Sequence, residues 1–207
     1  YAGVRFIAIV KNGKATLYSR NWKIFNNFPH IESSLSKKQF NNLVFDGEVM
    51  SDDFQALMKQ VYRKYGAETD DAFLALFDML PLKEFNVGKS KLNSLDRRNE
   101  LNNLSKDFDN VIKLVDFEII NFDSDEGQNQ FAVMNKDALE KGFEGLMIKP
   151  CDHFYECKRS HAWLKIKPFI EVTLKIINIQ EGTGKHEGKL GAFQVEGEDD
   201  GKFFSLS

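Results

Sequence analysis

Apolar positions follow two periods along this chain. A near-continuous apolar run over 4–10, broken only by Arg5, is followed by Lys11-Asn12-Gly13-Lys14 and a second run over 15–19. Asn-Gly between two such runs predicts a β-hairpin, because both turn positions take positive φ. Further strands are predicted over 43–50, over 72–80 with Pro81 as the stop, and over 111–120. Between them Phe54, Leu57, Met58, Val61, Tyr62 and Tyr65 recur at the helical period, with Ser51 or Asp52 as cap and Gly66 as stop. Ser94 caps a second predicted helix, with Leu95, Leu101 and Leu104 inward and Arg97 and Arg98 on a solvated outer face. A third, over 125–141, places Phe131, Met134, Ala138 and Leu139 on one side and ends at Gly142. No regular βαβ rhythm emerges, so the expected fold class is α+β, with antiparallel sheets flanked by helices.

Charge interrupts this pattern at a few places. Asp46, Gly47 and Glu48 sit in the middle of a core strand, where two carboxylates cost stability unless a cation or a hydroxyl meets them. Arg5 either points out of its sheet or is kept inside to hold a ligand oxygen, and the pattern supports both. Arg20 stands at the exit of the second strand, where loops present functional groups. Glu144 opens a run in which Leu146 and Ile148 alternate with Met147 and Lys149, so an acid and a base bracket an apolar segment. In Trp163-Leu164-Lys165-Ile166-Lys167 both lysines fall on one strand face, about 7 Å apart. Two cations facing one point on a half-buried strand call for a bound anion, phosphate first among them, or for water. The plainer alternative is a pair of edge strands with solvated charges.

After Pro168 the character changes. A strand over 171–179, a Gly/Lys loop over 181–191 and a further strand from 192 look like a hairpin opening a small β-barrel. The loop lacks Walker spacing and is not read as a phosphate cradle. Four strands are expected up to Ser207, too few to close a barrel. The expected organisation is therefore one domain over 1–168 and the beginning of a second over 169–207, in an incomplete record of a longer protein.

With 207 residues, 42% of them apolar, a sizeable core is possible. Lys and Arg number 28 against 31 Asp and Glu, a net of 28 − 31 = −3, so a nucleic-acid footprint would have to be a local patch. Cys151 and Cys157 are too far apart for CxxC chemistry and, though His153 and His161 flank them, lack zinc-ligand spacing; reduced thiols fit better. No apolar run approaches the roughly 18 residues of a membrane span, and no signal peptide is visible.

Taken in order, the charged motifs resemble those of the ATP-dependent DNA ligases, within the covalent nucleotidyltransferase superfamily. Tyr1-Ala2-Gly3-Val4-Arg5 is similar to the tail of the Lys-x-Asp-Gly-x-Arg nucleophile motif, and Ser19-Arg20 to the motif that follows it. Phe45-Asp46-Gly47-Glu48 and Leu76-Phe77-Asp78 fall where the third pair belongs. Glu144-Gly145-Leu146-Met147-Ile148-Lys149 and Trp163-Leu164-Lys165-Ile166-Lys167 complete the order, joined by Tyr155 and by Arg159-Ser160-His161. Each motif is weak alone; the ordered set covers nearly the whole chain. The short spacing is similar to that of compact viral or bacterial members.

The resemblance implies an adenylation domain followed by the start of an oligonucleotide-binding barrel, and an enzyme that seals nicks in double-stranded DNA. A lysine attacks the α-phosphate of ATP, AMP passes to the 5′-phosphate at the nick, and the 3′-hydroxyl then displaces AMP. Such in-line transfers depend on positioning and charge neutralisation. On this resemblance Lys165 and Lys167 hold the AMP phosphate, Glu144 with Glu48 organises Mg²⁺, Arg5 and Glu48 contact the ribose, Phe77 stacks on adenine, Lys149 joins the nucleotide site, and Arg20 grips the nick. Two departures stand out: the lysine of the first motif would fall immediately before Tyr1, and Ala2 stands where the family carries Asp. As written, the chain is expected not to form the covalent intermediate. An RNA ligase, a capping-type nucleotidyltransferase and a non-catalytic nick-binding module remain the alternatives. Roles in DNA repair and replication, a monomer, and a cytoplasmic location, in a host cell if the protein is viral, are the accompanying expectations.

Overall fold

A computed structural model describes residues 3–62, 71–168, 173–197 and 203–206. Ala2, Tyr65, Gly66 and the start of the strand expected from 171 lie outside the described residues. The chain divides into two compact units, Tyr1–Lys167 and Pro168–Ser207.

The first unit opens with β1 (Val4–Lys11) and β2 (Lys14–Ser19), joined by the predicted turn, in which Asn12 and Gly13 take φ of 53° and 71°. Next come β3 (Ile24–Phe25), α1 (Pro29–Leu35), β4 (Leu43–Met50), α2 (Phe54–Tyr62) and β5 (Phe73–Pro81). They are followed by α3 (Leu82–Asn86), β6 (Lys89–Asn93), α4 (Ser94–Leu104), β7 (Ile112–Leu114), α5 (Asp125–Glu140), β8 (Leu146–Ile148), β9 (Phe154–Glu156) and β10 (Leu164–Ile166). Six strands form the main sheet in the order β3-β2-β1-β4-β5-β7; the pairs are antiparallel except β5 with β7. The strand expected over 111–120 is only three residues long. Its continuation leaves the sheet, with Val115, Phe117 and Ile119 all exposed.

Alternation along β1 sorts the two faces of this sheet. Phe6, Ala8 and Val10 join Leu17, Phe28, Ile31, Phe45, Leu57 and Leu101 in the larger core. Ile7 packs on the other face with Val44, Leu80 and Tyr155, edged by Trp163. Arg5 shares the parity of Ile7, so the first strand delivers it to this second face.

One irregularity in the sheet re-aims a side chain. Asp46 opposes Asp78, but the next residue, Gly47, opposes Leu76, leaving Phe77 as an extra residue on β5. A bulge of this kind turns the strand locally, and here it lets the consecutive residues Phe77 and Asp78 serve the same face. Gly47 is needed opposite the bulge: a Cβ there would lie 2.5 Å from the Ala75 carbonyl oxygen and 3.0 Å from Leu76 Cδ2.

The second unit holds β11 (Leu174–Glu181), β12 (Leu190–Gly197) and β13 (Phe203–Leu206) in one antiparallel sheet of that order. Among the described residues it has three strands, and β11 pairs with β12 through two register irregularities. Among the described residues, no helix is long and apolar enough to cross a membrane.

Gly47→Ala is expected to destabilise the first unit by about 2 kcal/mol, since the backbone oxygen it meets cannot swing away as a side chain could. Chemical denaturation followed by far-ultraviolet circular dichroism checks this; an unchanged midpoint would show that the bulge relaxes freely.

Candidate nucleotide site

Two buried carboxylates anchor the second face of the main sheet. Asp46 is inaccessible to solvent and receives the Arg5 guanidinium as a fork, Nε to Oδ1 at 3.0 Å and Nη2 to Oδ2 at 2.6 Å. The Tyr155 hydroxyl of β9 donates to the same Oδ2 at 2.7 Å. Asp46 thus has both partners that its place in a core strand requires. Burial opposes the charge on Arg5, but the Asp46 carboxylate outweighs it and holds the guanidinium above its ordinary value. Burial and the neighbouring Asp46 push the Tyr155 hydroxyl up as well, so it remains a donor.

Asp78 is matched by Arg97, at 2.7 Å from Nε to Oδ1 and 3.0 Å from Nη2 to Oδ2. Arg97 was expected on the solvated face of α4; instead it is fully buried. The Arg97 guanidinium also donates to the carbonyl oxygens of Leu92, at 2.7 Å, and His153, at 3.4 Å, and lies over the Tyr155 ring. One side chain thereby satisfies a buried carboxylate and two backbone acceptors, which is why a cation is tolerated there.

Lys149, just past β8, stands between the two networks. Its ammonium lies 3.7 Å from the centroid of Trp163 and 4.6 Å from that of Phe77, with the nearest Asp78 oxygen at 3.8 Å. Phe77 and Trp163 meet edge to face at 6.0 Å. Burial, reinforced by Arg97 and Arg5 and opposed by Asp78 and Asp46, brings Lys149 down to about 8. The ammonium is therefore charged at neutral pH but held chiefly by ring faces.

Lys165 and Lys167 are about half exposed, and both reach the same oxygen of Glu144, Lys165 in close contact and Lys167 at 3.1 Å. Among the described residues β10 pairs with β8 alone and leaves Leu164 exposed, and both lysines are met by the carboxylate of the neighbouring segment. Hydrogen bonds from Lys165 and then Lys167 hold Glu144 below the usual carboxylate range, and Glu144 in turn raises Lys165. Stability from this pairing is present above the ordinary carboxylate value and is lost as pH falls through the lowered one; for so exposed a group it is small. Gly145, at φ 132°, brings the two segments together: a Cβ would lie 1.8 Å from the Ile166 carbonyl oxygen.

Glu48 faces Arg5 across the β1–β4 pairing. Burial raises its pKa; Lys165 lowers it and Glu144 raises it, which ties Glu48 electrostatically to the lysine cluster. Gly3 gives it room, since a Cβ there would come within 2.9 Å of Glu48 Oε2. Seven of the eight residues singled out from sequence thus form one linked set on a single unit: Arg5, Glu48, Phe77, Glu144, Lys149, Lys165 and Lys167. Arg20 is not joined to it by any ion pair among the described residues. It lies exposed in the Ser19–Lys23 turn, closed by Ser19 N–H to the Lys23 oxygen at 2.8 Å.

The profile of the family described as ATP dependent DNA ligase domain matches residues 1–167. The chain belongs to this family. It is 28% identical to a DNA ligase of Methanococcus maripaludis over 97% of this chain and 39% of the relative. With a DNA ligase of Thermococcus fumicolans the identity is 30%, over 96% of this chain and 37% of the relative. The solved structure of Pmar-Lig_PreS3 is 46% identical, with a TM-score of 0.88, over 99% of this chain and 49% of that one. The chain therefore spans about two fifths of these curated DNA ligases and about half of that solved chain.

Tyr155→Phe removes the hydroxyl from Asp46 but keeps the ring on Arg97 and Trp163. A hydrogen bond to a buried charged group is worth about 1.5–3 kcal/mol, so a loss of that order in unfolding free energy is expected. Urea titration at pH 7 measures it, and a loss below about 0.5 kcal/mol would mean that Arg5 alone satisfies Asp46.

Proposed function

We propose that this chain is the nucleotide-binding core of an ATP-dependent DNA ligase that seals nicks in double-stranded DNA. The observation that carries this reading is the convergence of Lys165, Lys167 and Glu144, with Glu48 coupled to them, in a chain belonging to the ATP-dependent DNA ligase domain family. A nucleotide phosphate takes the place of the Glu144 carboxylate on the two lysines, so one anion replaces another at a preassembled cationic point. Phe77 and Trp163 supply apolar ring surface for adenine. In this reading Arg5 and Glu48, paired across β1 and β4, contact the ribose, and Lys149 adds positive charge to the nucleotide site. Arg20, exposed on its turn, contacts the DNA end. The family's nucleophilic lysine belongs immediately before Tyr1, and Ala2 takes the place of the family's carboxylate.

Mg²⁺ fits this donor set. No cluster of three or more His, Cys, Asp or Glu suited to a metal occurs among the described residues. Mg²⁺ is, however, commonly bound by one or two carboxylates, with phosphate oxygens and water completing the shell. Glu144, once released from the lysines, and Glu48 are the two carboxylates that would hold it. When bound, the ion neutralises charge on the reacting phosphates. The second unit opens the oligonucleotide-binding domain that follows in such enzymes. The protein acts as a monomer in the cytoplasm, in DNA repair and replication.

The test is sealing of a nicked duplex by the intact protein with a lysine preceding Tyr1, comparing DNA and RNA strands that carry the 3′-hydroxyl. Sealing of both, or of the RNA strand alone, would move the assignment towards RNA ligases; binding of nicks without any sealing would leave a nick-binding module. Lys165→Ala is expected to slow AMP transfer and sealing more than about tenfold, the scale of one charge-assisted phosphate contact. A change within about threefold would remove Lys165 from the phosphate site. Glu144→Gln should cut sealing strongly and raise the Mg²⁺ requirement while leaving the thermal midpoint nearly unchanged. Lost stability with an unaltered Mg²⁺ response would make the carboxylate structural.

A further inference from the structure

Lys149 and Asp78 have opposite charges, yet the two do not close into a hydrogen bond. Their nearest atoms stand 3.8 Å apart. Asp78 is already engaged: Arg97 takes both oxygens at 2.7 and 3.0 Å, and the Met79 backbone N–H donates to Oδ1 at 2.9 Å. Arg97 cannot easily move to release it, because the same guanidinium is tied to the carbonyl oxygens of Leu92 and His153 and lies over the Tyr155 ring. Helix α4, which contributes no residue to the lysine–glutamate cluster, thus controls the geometry beneath Lys149.

We infer that Arg97 is a positioning residue for the nucleotide site: by occupying Asp78 it keeps that carboxylate close enough to orient Lys149 but unavailable to neutralise it, leaving the ammonium free for an anionic ligand. This rests on the nucleotide reading of the site for the identity of the ligand, but the effect of Arg97 on Lys149 does not. The charged groups acting on Lys149 are Asp78 on β5, Asp46 on β4, Arg5 on β1 and Arg97 on α4. Arg97 and Arg5 lower its pKa and the two aspartates raise it, so removing the Arg97 charge frees Asp78 and moves the titration of Lys149 upward from about 8.

The experiment has two readouts on the 207-residue chain. Lysines are reductively ¹³C-methylated, and the Lys149 signal is identified by its absence in Lys149→Arg and followed by NMR against pH; AMP binding is titrated at pH 7 and across the same range. In the native chain, AMP affinity should fall as pH rises through the Lys149 midpoint. In Arg97→Gln, that midpoint should rise by about one pH unit or more, while AMP affinity at pH 7 weakens by about tenfold. This combination separates positioning from general loosening, which weakens binding without raising the midpoint. Arg97→Lys restores one cation but not the fork, and should fall between the two. If Arg97→Gln does not fold, a raised midpoint in Arg97→Lys supports the inference. An unmoved Lys149 midpoint in the folded variant overturns it, whatever happens to affinity. Failure of the native chain to bind AMP, with the midpoint still raised in Arg97→Gln, would instead overturn the nucleotide reading.

Discussion

Asp46 and Asp78 oppose each other across adjacent strands of the main sheet, both buried. Like charges in such a pair repel, and neither could stay ionised in an apolar interior alone. The surrounding structure answers that constraint. Arg5 comes from β1, Arg97 from α4, Lys149 from the segment after β8 and the Tyr155 hydroxyl from β9. These four elements are distant in sequence, and the charge requirement of two aspartates brings them to one place. A buried ion pair is seldom a source of net stability compared with apolar packing. Its value here is specificity: with so many partners required at once, few other arrangements of these segments satisfy both carboxylates.

Much of the scaffold could be read from the sequence because it depends on local rules. The first hairpin follows from Asn12-Gly13, and β4 from its apolar run, with the predicted limits 43–50 matching the strand. The strand over 111–120 stops early for a physical reason: alternation of Val115, Phe117 and Ile119 marks a pleated surface, but beyond the Val115 N–H bond to the Leu76 oxygen no strand among the described residues pairs with it, and the three side chains are exposed. The bulge at Phe77 was also hidden, because it depends on which residue of β4 each residue of β5 faces, and pairing register is not written in either strand alone.

The misplacement of Arg97 has a different origin. Leu101 and Leu104, the inward residues of α4, stand four and seven positions after Arg97, so helical spacing put it on their face. Residue type argued the other way, since arginine is rarely fully buried. The spacing was the better guide. Asp78 is the partner that makes the position tolerable, and nothing in the helix itself signals it. Glu144, Lys165 and Lys167 could be placed more directly because strand alternation aims both lysines at one point; the carboxylate already occupying that point could be seen only once β8 and β10 were paired.

The two kinds of ion pair divide the work of the site. Arg5–Asp46 and Arg97–Asp78 are forked, and Asp46 and Asp78 are buried; remaking such pairs would strand a charge away from water. Glu144 with Lys165 and Lys167 is half exposed, where water stabilises each partner during exchange and the net strength of the contact is small. On the proposed reading a ligand anion would therefore displace Glu144 at little cost, whereas Asp46 and Asp78 would stay with their arginines. Lys149 lies between these regimes: deep enough for burial to lower its pKa, with Asp78 near it at 3.8 Å but hydrogen-bonded through both oxygens to Arg97. The fixed pairs set the geometry and the exposed pair keeps both lysines on one carboxylate oxygen, so under the proposed nucleotide reading an incoming phosphate would meet cations already arranged to receive it.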